Sequence, residues 1–244
     1  MVDVIIVGTV GLDDVATPFG ARKAALGGSA VYASYACSFF AKPGVVSIIG
    51  NDFPHNYKEL LVQRGINLEG VVVKGKNFRW QGKYEYDMNE ARTIKTDLHS
   101  LVEFNPDLPE SYRKNKLVFL ANIDPELQLR VLQQITSPPL VIMDTMNYWI
   151  TSKKSAVLDV IKHVDILLLN DGEARQLFET VNLKVAAQQA LALGVKYVII
   201  KKGEHGALLF SNGAHFNAPG YPLEVIKDPT GCGDSFAGGL LGYL

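Results

Sequence analysis

The chain opens with Val4-Ile5-Ile6-Val7, a short β-branched run with no polar face, the pattern of a strand buried on both sides of a parallel sheet. Similar apolar runs predict further strands at Val45–Ile49, Val71–Val73, Leu117–Ala121, Leu140–Met143, Asp165–Leu169, Tyr197–Lys201 and Ala207–Phe210. Helices are predicted over 31–41, 55–64, 125–135, 153–163, 171–178, 182–193 and from 236 to 244. Over 117–201 strand and helix alternate, which predicts right-handed crossovers, a parallel sheet, and ligands at the carboxyl edge of its strands. The segment 77–98 breaks this texture: Phe78-Arg79-Trp80-Gln81-Gly82-Lys83-Tyr84-Glu85-Tyr86 alternates aromatic and polar residues. Period two means strands with one wet face, and a short hairpin of this kind must pack over the main domain to be stable. Trp80, Tyr84 and Tyr86 are placed to stack on a sugar or base, although the ordinary work of aromatic residues in strands is packing.

Composition narrows the class of partner. The 244 residues are 48% hydrophobic and carry 24 basic against 25 acidic side chains, a net charge of −1 with no long like-charged run. That balance gives no field for nucleic acid or a membrane surface, so small-molecule chemistry is expected. Cys37 and Cys232 are the only cysteines, and no Cys/His grouping has metal-ligand spacing, which argues against a disulfide scaffold or structural zinc and for a cytoplasmic location. No basic leader precedes the first strand and no apolar stretch approaches 20 residues, so neither secretion nor membrane insertion is expected.

Candidate chemistry concentrates in Asp228-Pro229-Thr230-Gly231-Cys232-Gly233-Asp234. Gly231 and Gly233 allow successive N–H groups to converge on one point, and the apolar run beginning at Phe236 places that nest at a helix N-terminus, where phosphate is favoured. A carboxylate beside a phosphate site, with no Lys in the loop, suits a general base better than a binding group; a Gly-rich turn with Asp capping a helix is the ordinary alternative. Other candidates follow strands: Asp13 after the first, Asp144, Asn147, Asn170 and Glu173 after later ones. Asn170 with Glu173 is also a capping-box arrangement, and both roles can hold at once. Gly27-Gly28 punctuates the entry to a helix rich in small residues, and Lys201-Lys202-Gly203-Glu204-His205-Gly206 reads equally as a charged turn between strands. Gly8 and Gly11 begin like a dinucleotide-binding fold, but no third Gly opens a helix.

Residues 228–239 closely resemble the C-terminal signature of the ribokinase-like, PfkB-type carbohydrate kinases, and the resemblance extends over nearly the whole chain. It implies an α/β, ribokinase-like three-layer fold with a mostly parallel central sheet and a small β lid from about 12–25 and 71–98, making one kinase domain over 1–244. Asp234 then resembles the catalytic base, and Gly231, Cys232 and Gly233 the anion hole, with Pro229 and Cys232 standing where the family often has Thr and Ala. Asp13, the diglycine Gly27-Gly28 and Asn51, in a Gly-x-Asp turn, resemble acceptor-binding positions. Asn170 and Glu173 match the family's Asn-x-x-Glu, implying phosphate binding and Mg²⁺ held by Glu173 through water. Lys201, Gly203, Gly206 and Thr230 resemble ATP contacts, and Asp228 is a candidate for a monovalent cation such as K⁺. The lid implies a homodimer interface. Family members continue for several elements beyond the point matched by Leu244, and those elements help enclose adenine. The expected activity is ATP-dependent phosphorylation of a hydroxyl on a sugar or sugar-containing molecule, with a nucleoside kinase, a non-catalytic sugar- or nucleotide-binding regulator and a nucleotide-dependent oxidoreductase as alternatives.

Overall fold

The computed structural model describes residues 2–89, 91–136 and 140–244. Its large sheet begins with β1 (Val4–Val7), whose four residues are all buried because β4 (Pro43–Ile49) and β8 (Leu117–Leu120) flank it in parallel. Outward from β4 lies β5 (Asn67–Val73). Outward from β8 come β9 (Leu140–Met143), β10 (Ile166–Asn170) and β11 (Tyr197–Lys201), all parallel, and then the antiparallel strands β12 (Ala207–Ser211) and β13 (Ala214–Ala218). Helices cover both faces. α3 (Pro125–Leu132), α5 (Lys154–Ile161), α6 (Asp171–Phe178) and α7 (Leu183–Ala192) bury one face with side chains such as Val131, Val157 and Leu177. α1 (Ser29–Cys37), α2 (His55–Gln63) and α8 (Cys232–Tyr243) bury the other. The result is the expected three layers, a parallel sheet protected on both sides. A short α4 (Asn147–Ser152) follows β9. Among the described residues, no helix is long and apolar enough to cross a membrane.

The small residues of α1 have a specific use. At Gly238 of α8 a Cβ would lie 2.1 Å from the Ala33 carbonyl oxygen, so the two helices approach backbone to backbone and the N-terminal turn of α8 is fixed against α1.

A second sheet, in the order β3-β2-β6-β7, forms the lid from β2 (Gly11–Thr17), β3 (Gly20–Gly27), β6 (Phe78–Tyr84) and β7 (Ala91–Asp97). Its boundary differs from the sequence reading, which began the second lid segment at 71: Val71–Val73 end β5, paired with Ser47–Ile49 in the large sheet, and the chain crosses to the lid through 74–77. That crossing is pinned by Asn77, whose buried amide oxygen accepts from the Gly50 N–H at 3.0 Å while its own N–H donates to Asp52 at 2.7 Å.

Candidate active site

The site forms where β1 hands the chain to the lid and where α8 begins. After β1, Thr9 and Ser29 exchange hydrogen bonds, Thr9 N–H to Ser29 Oγ and Ser29 N–H to Thr9 Oγ1, both at 3.0 Å. These bonds tie the N-terminus of α1 to the strand end. Gly28, at φ 100°, lets the chain turn there. β2 then carries Asp13 inward. Its carboxylate packs on Gly27, where a Cβ would sit 1.9 Å from Asp13 Oδ2, and the Gly28 N–H and the Tyr32 side chain favour its charged form. Burial is the main reason the Asp13 carboxyl is pushed up to about 7, with Asp228 and Asp14 adding to the shift.

The loop before α8 supplies the opposing wall. Gly231 is the N-cap in left-handed conformation, at φ 73°, and a Cβ there would overlap the Tyr32 ring at 2.3 Å. Asp228 accepts from the Thr230 N–H at 2.9 Å, and the Cys232 N–H is turned to the Pro229 carbonyl at 3.1 Å. Among the described residues the Gly231, Gly233 and Asp234 N–H groups reach no carbonyl, so the free donors at this helix N-terminus are available to an anion. The Cys232 thiol is pushed up by burial, then by Asp228 and Asp234, so it is held as a neutral thiol.

The cation missing from the loop arrives from β11. Lys201 Nζ lies 2.5 Å from buried Asp144 at the end of β9, and a Cβ on Gly233 would be 3.1 Å from the same nitrogen. Burial works against the charge on Lys201, but Asp144, Glu173 and Asp234 outweigh it and hold the amine protonated, above its ordinary value. Glu173 and Asn170 close the capping box at the start of α6, with Glu173 Oε2 accepting from Asn170 N–H and Asn170 Oδ1 from Glu173 N–H, each at 2.7 Å. Burial and then Asp144 raise Glu173 to about 8. Asp234 is acted on by both groups: burial and Asp144 raise it to about 7, Lys201 opposes, and Asp13 adds to the rise.

The structure therefore brings Asp13, Gly27, Gly28, Asn170, Glu173, Lys201, Asp228, Thr230, Gly231, Cys232, Gly233 and Asp234 to one cleft. Gly203 and Gly206 sit on the turn after β11, where Gly206 packs on the 218–220 segment. Asn51 is exposed, its N–H bound to the Gly75 carbonyl at the lid crossing. Tyr32 was not singled out by sequence, and Asp144 and Lys201 were named there separately but not as a pair; Tyr84, read there as a stacking residue, places its hydroxyl 3.4 Å from Thr230 Oγ1.

Mg²⁺ was tested against this donor set. Asp144, Glu173 and Asp234 are hard oxygen donors around one cluster, but among the described residues no three acidic, His or Cys side chains form a metal cage. That fits a Mg²⁺ bound by one or two carboxylates together with substrate phosphates and water.

This fold and loop define a class. Residues 12–244 match the family described as pfkB family carbohydrate kinase, and the chain belongs to that family, making it a phosphotransferase with an alcohol group as acceptor. It is 30% identical to a cytidine kinase of Thermococcus kodakarensis, over the whole of this chain and 89% of that one. A nucleoside kinase of Methanocaldococcus jannaschii is 25% identical over 81% of this chain and 64% of its own. An E. coli structure described as a ribokinase II in complex with ATP and Mg²⁺ superposes with a TM-score of 0.83 at 19% identity, covering 100% of this chain and 86% of that one.

Proposed function

We propose that the protein transfers the γ-phosphoryl group of ATP to a hydroxyl of a nucleoside. The likeness to a cytidine kinase over the full chain favours a nucleoside over a simple sugar. The observation that carries the mechanism is the place of Asp234, in the first turn of α8, between free N–H donors and Lys201 on one side and Asp13 on the other. Asp13 orients the acceptor hydroxyl, and Asp234 takes its proton as the new P–O bond forms. The bond from the γ-phosphorus to the β,γ-bridging oxygen breaks, and ADP leaves with that electron pair. The Gly231, Gly233 and Asp234 N–H groups and the Lys201 ammonium stabilise the charge on the transferred group, where positioning and electrostatics supply most of the rate. Held near 7, Asp234 is a far better base than an exposed aspartate, because a base works best near the operating pH. Mg²⁺, held through Glu173, Asp144 and the phosphates, supplies further charge neutralisation when bound.

The reading includes Asn170, Thr230, Gly203 and Gly206 on the nucleotide side, Gly27, Gly28 and Asn51 on the acceptor side, and K⁺ at Asp228. It also includes one kinase domain, a cytoplasmic location, and a homodimer through the lid, whose outer strands and turn expose Phe19 and Ile94. ADP release measured with ATP-Mg²⁺ over a panel of nucleosides and sugars tests it. A nucleoside is expected to give the highest rate; no release above the acceptor-free background would favour a non-catalytic binding protein.

A further inference from the structure

Among the described residues, the acids and phenols of the acceptor half of the cleft are paired with no cationic side chain. Asp13, Asp14, Asp228 and Asp234 form no ion pair within 4 Å among the described residues, whereas Asp144 on the other side has Lys201. The charged groups acting on Asp13 are Asp228 and Asp14, on Tyr84 Asp228 and Asp13, and on Cys232 Asp228 and Asp234. Tyr32 is at the centre of this set. Its ring lies against Gly231 of the anion hole, its side chain favours the Asp13 carboxylate, and Asp13, Asp228, Asp234 and Tyr84 are near enough to act on its phenol. Burial and these acids keep the phenol un-ionised, so it is the neutral hydrogen-bond donor in a ring of acceptors.

Resting on the kinase reading above, we propose that this half of the cleft is a subsite for an uncharged polyol ring that rejects sugar phosphates and sugar acids, and that Tyr32 is the specificity-determining residue, positioning the acceptor against Asp13. A phosphate or carboxylate on the acceptor would enter beside buried Asp13 and the more exposed Asp228, neither of them paired with a cationic side chain, and like charges brought together at an interface are strongly unfavourable. A neutral hydroxyl can take both partners, accepting from the Tyr32 O–H, which turns to it from Asp13 on binding, and donating to the Asp13 carboxylate so released. Because the same ring packs on Gly231, the acceptor is located relative to the phosphoryl group through one rigid side chain, which serves the alignment that transfer requires.

The test is titration calorimetry of the whole protein with cytidine and cytidine 3′-monophosphate, which share a free 5′-hydroxyl and differ in charge, and with D-ribose and D-ribonate. The neutral member of each pair is expected to bind at least about tenfold more tightly. Tyr32→Phe, which keeps the ring and its packing, should weaken cytidine binding by about two- to tenfold, the weight of a hydrogen bond between neutral groups. It should leave ATP-Mg²⁺ affinity unchanged and turnover at saturating acceptor within severalfold. Asp228→Asn should narrow the preference for neutral over anionic ligand. Equal or tighter binding of the anionic member, no binding of any of the four, or a Tyr32→Phe protein that binds cytidine normally would each overturn the proposal. Because binding is read without turnover, a protein that shows the neutral preference but no phosphoryl transfer to any acceptor would sink the kinase reading while leaving the subsite standing.

Discussion

The two halves of the cleft are built on opposite electrostatic plans. On the phosphoryl side a buried ammonium, Lys201, is surrounded by Asp144, Glu173 and Asp234, and free N–H groups at the start of α8 add partial positive charge. On the acceptor side Asp13, Asp228 and the phenols of Tyr32 and Tyr84 act on one another with no cationic side chain paired to them among the described residues. Asp234 belongs to both, and in the proposed mechanism one carboxylate thereby stays close to the phosphate site and receives a proton from the other direction. In the proposed mechanism the fold separates the charge needed for an anion, on β11 and at the start of α8, from the charge needed for a hydroxyl, on β2 and the loop before α8.

Removing the shared group should have the largest effect. Asp234→Asn keeps the shape of the loop and is expected to lower turnover by about 10²–10⁴ while ATP binding and fold persist, as measured by ADP release beside calorimetry. Near-normal turnover would detach Asp234 from the chemistry and leave the two halves without their link.

A second experiment separates stability from chemistry on the phosphoryl side. Lys201→Met leaves Asp144 buried without its partner and should cost about 3–5 kcal/mol in denaturant unfolding. Adding Asp144→Asn should restore much of that stability but not the turnover. Recovery of both would mean that Lys201 serves only to neutralise Asp144 across β10.

A smaller effect is read in pH. Asp13 and Asp234 have folded values of about 7 against an ordinary 3.8, and Glu173 about 8 against 4.5. The folded state therefore binds more protons than the unfolded chain between those limits, so this contribution to stability is complete below about pH 4 and is lost as pH rises through 7 to 8. Turnover should run the other way, rising through about pH 7 as Asp13 and Asp234 become carboxylates. Melting curves and initial rates over pH 5–9 should cross; a melting temperature of the ligand-free protein that rises through that window would contradict the burial of these acids.

Much of the scaffold was legible because central strands advertise themselves. Val4–Val7, Leu140–Met143 and Tyr197–Lys201 are short apolar runs, and the structure gives them the same boundaries. α4 was missed because six residues with one buried side chain, Ile150, offer no apolar period, and β13 because its Ala-His-Phe-Asn-Ala sequence is almost wholly exposed. The assignment of Val71–Val73 to the lid failed since membership of a sheet is decided by partners far away in sequence, here β4. At the site, Gly231, Gly233 and Asp234 could be read because a loop and the following helix turn are contiguous. The pairing of Lys201 with Asp144, 57 residues apart, and the packing of Tyr32 on Gly231 exist only after β9, β11, α1 and α8 have assembled.

The division of the cleft is tested most directly by titrating both substrates into two variants, Asp13→Ala and Lys201→Met, each checked for a folded baseline. Loss of the charge-assisted bonds of Asp13 should weaken the acceptor by about ten- to a hundredfold and leave ATP-Mg²⁺ alone, whereas loss of Lys201 should weaken ATP-Mg²⁺ and leave the acceptor alone. If Asp13→Ala instead weakened ATP-Mg²⁺, or each variant weakened both ligands equally, the separation of the two halves would be wrong.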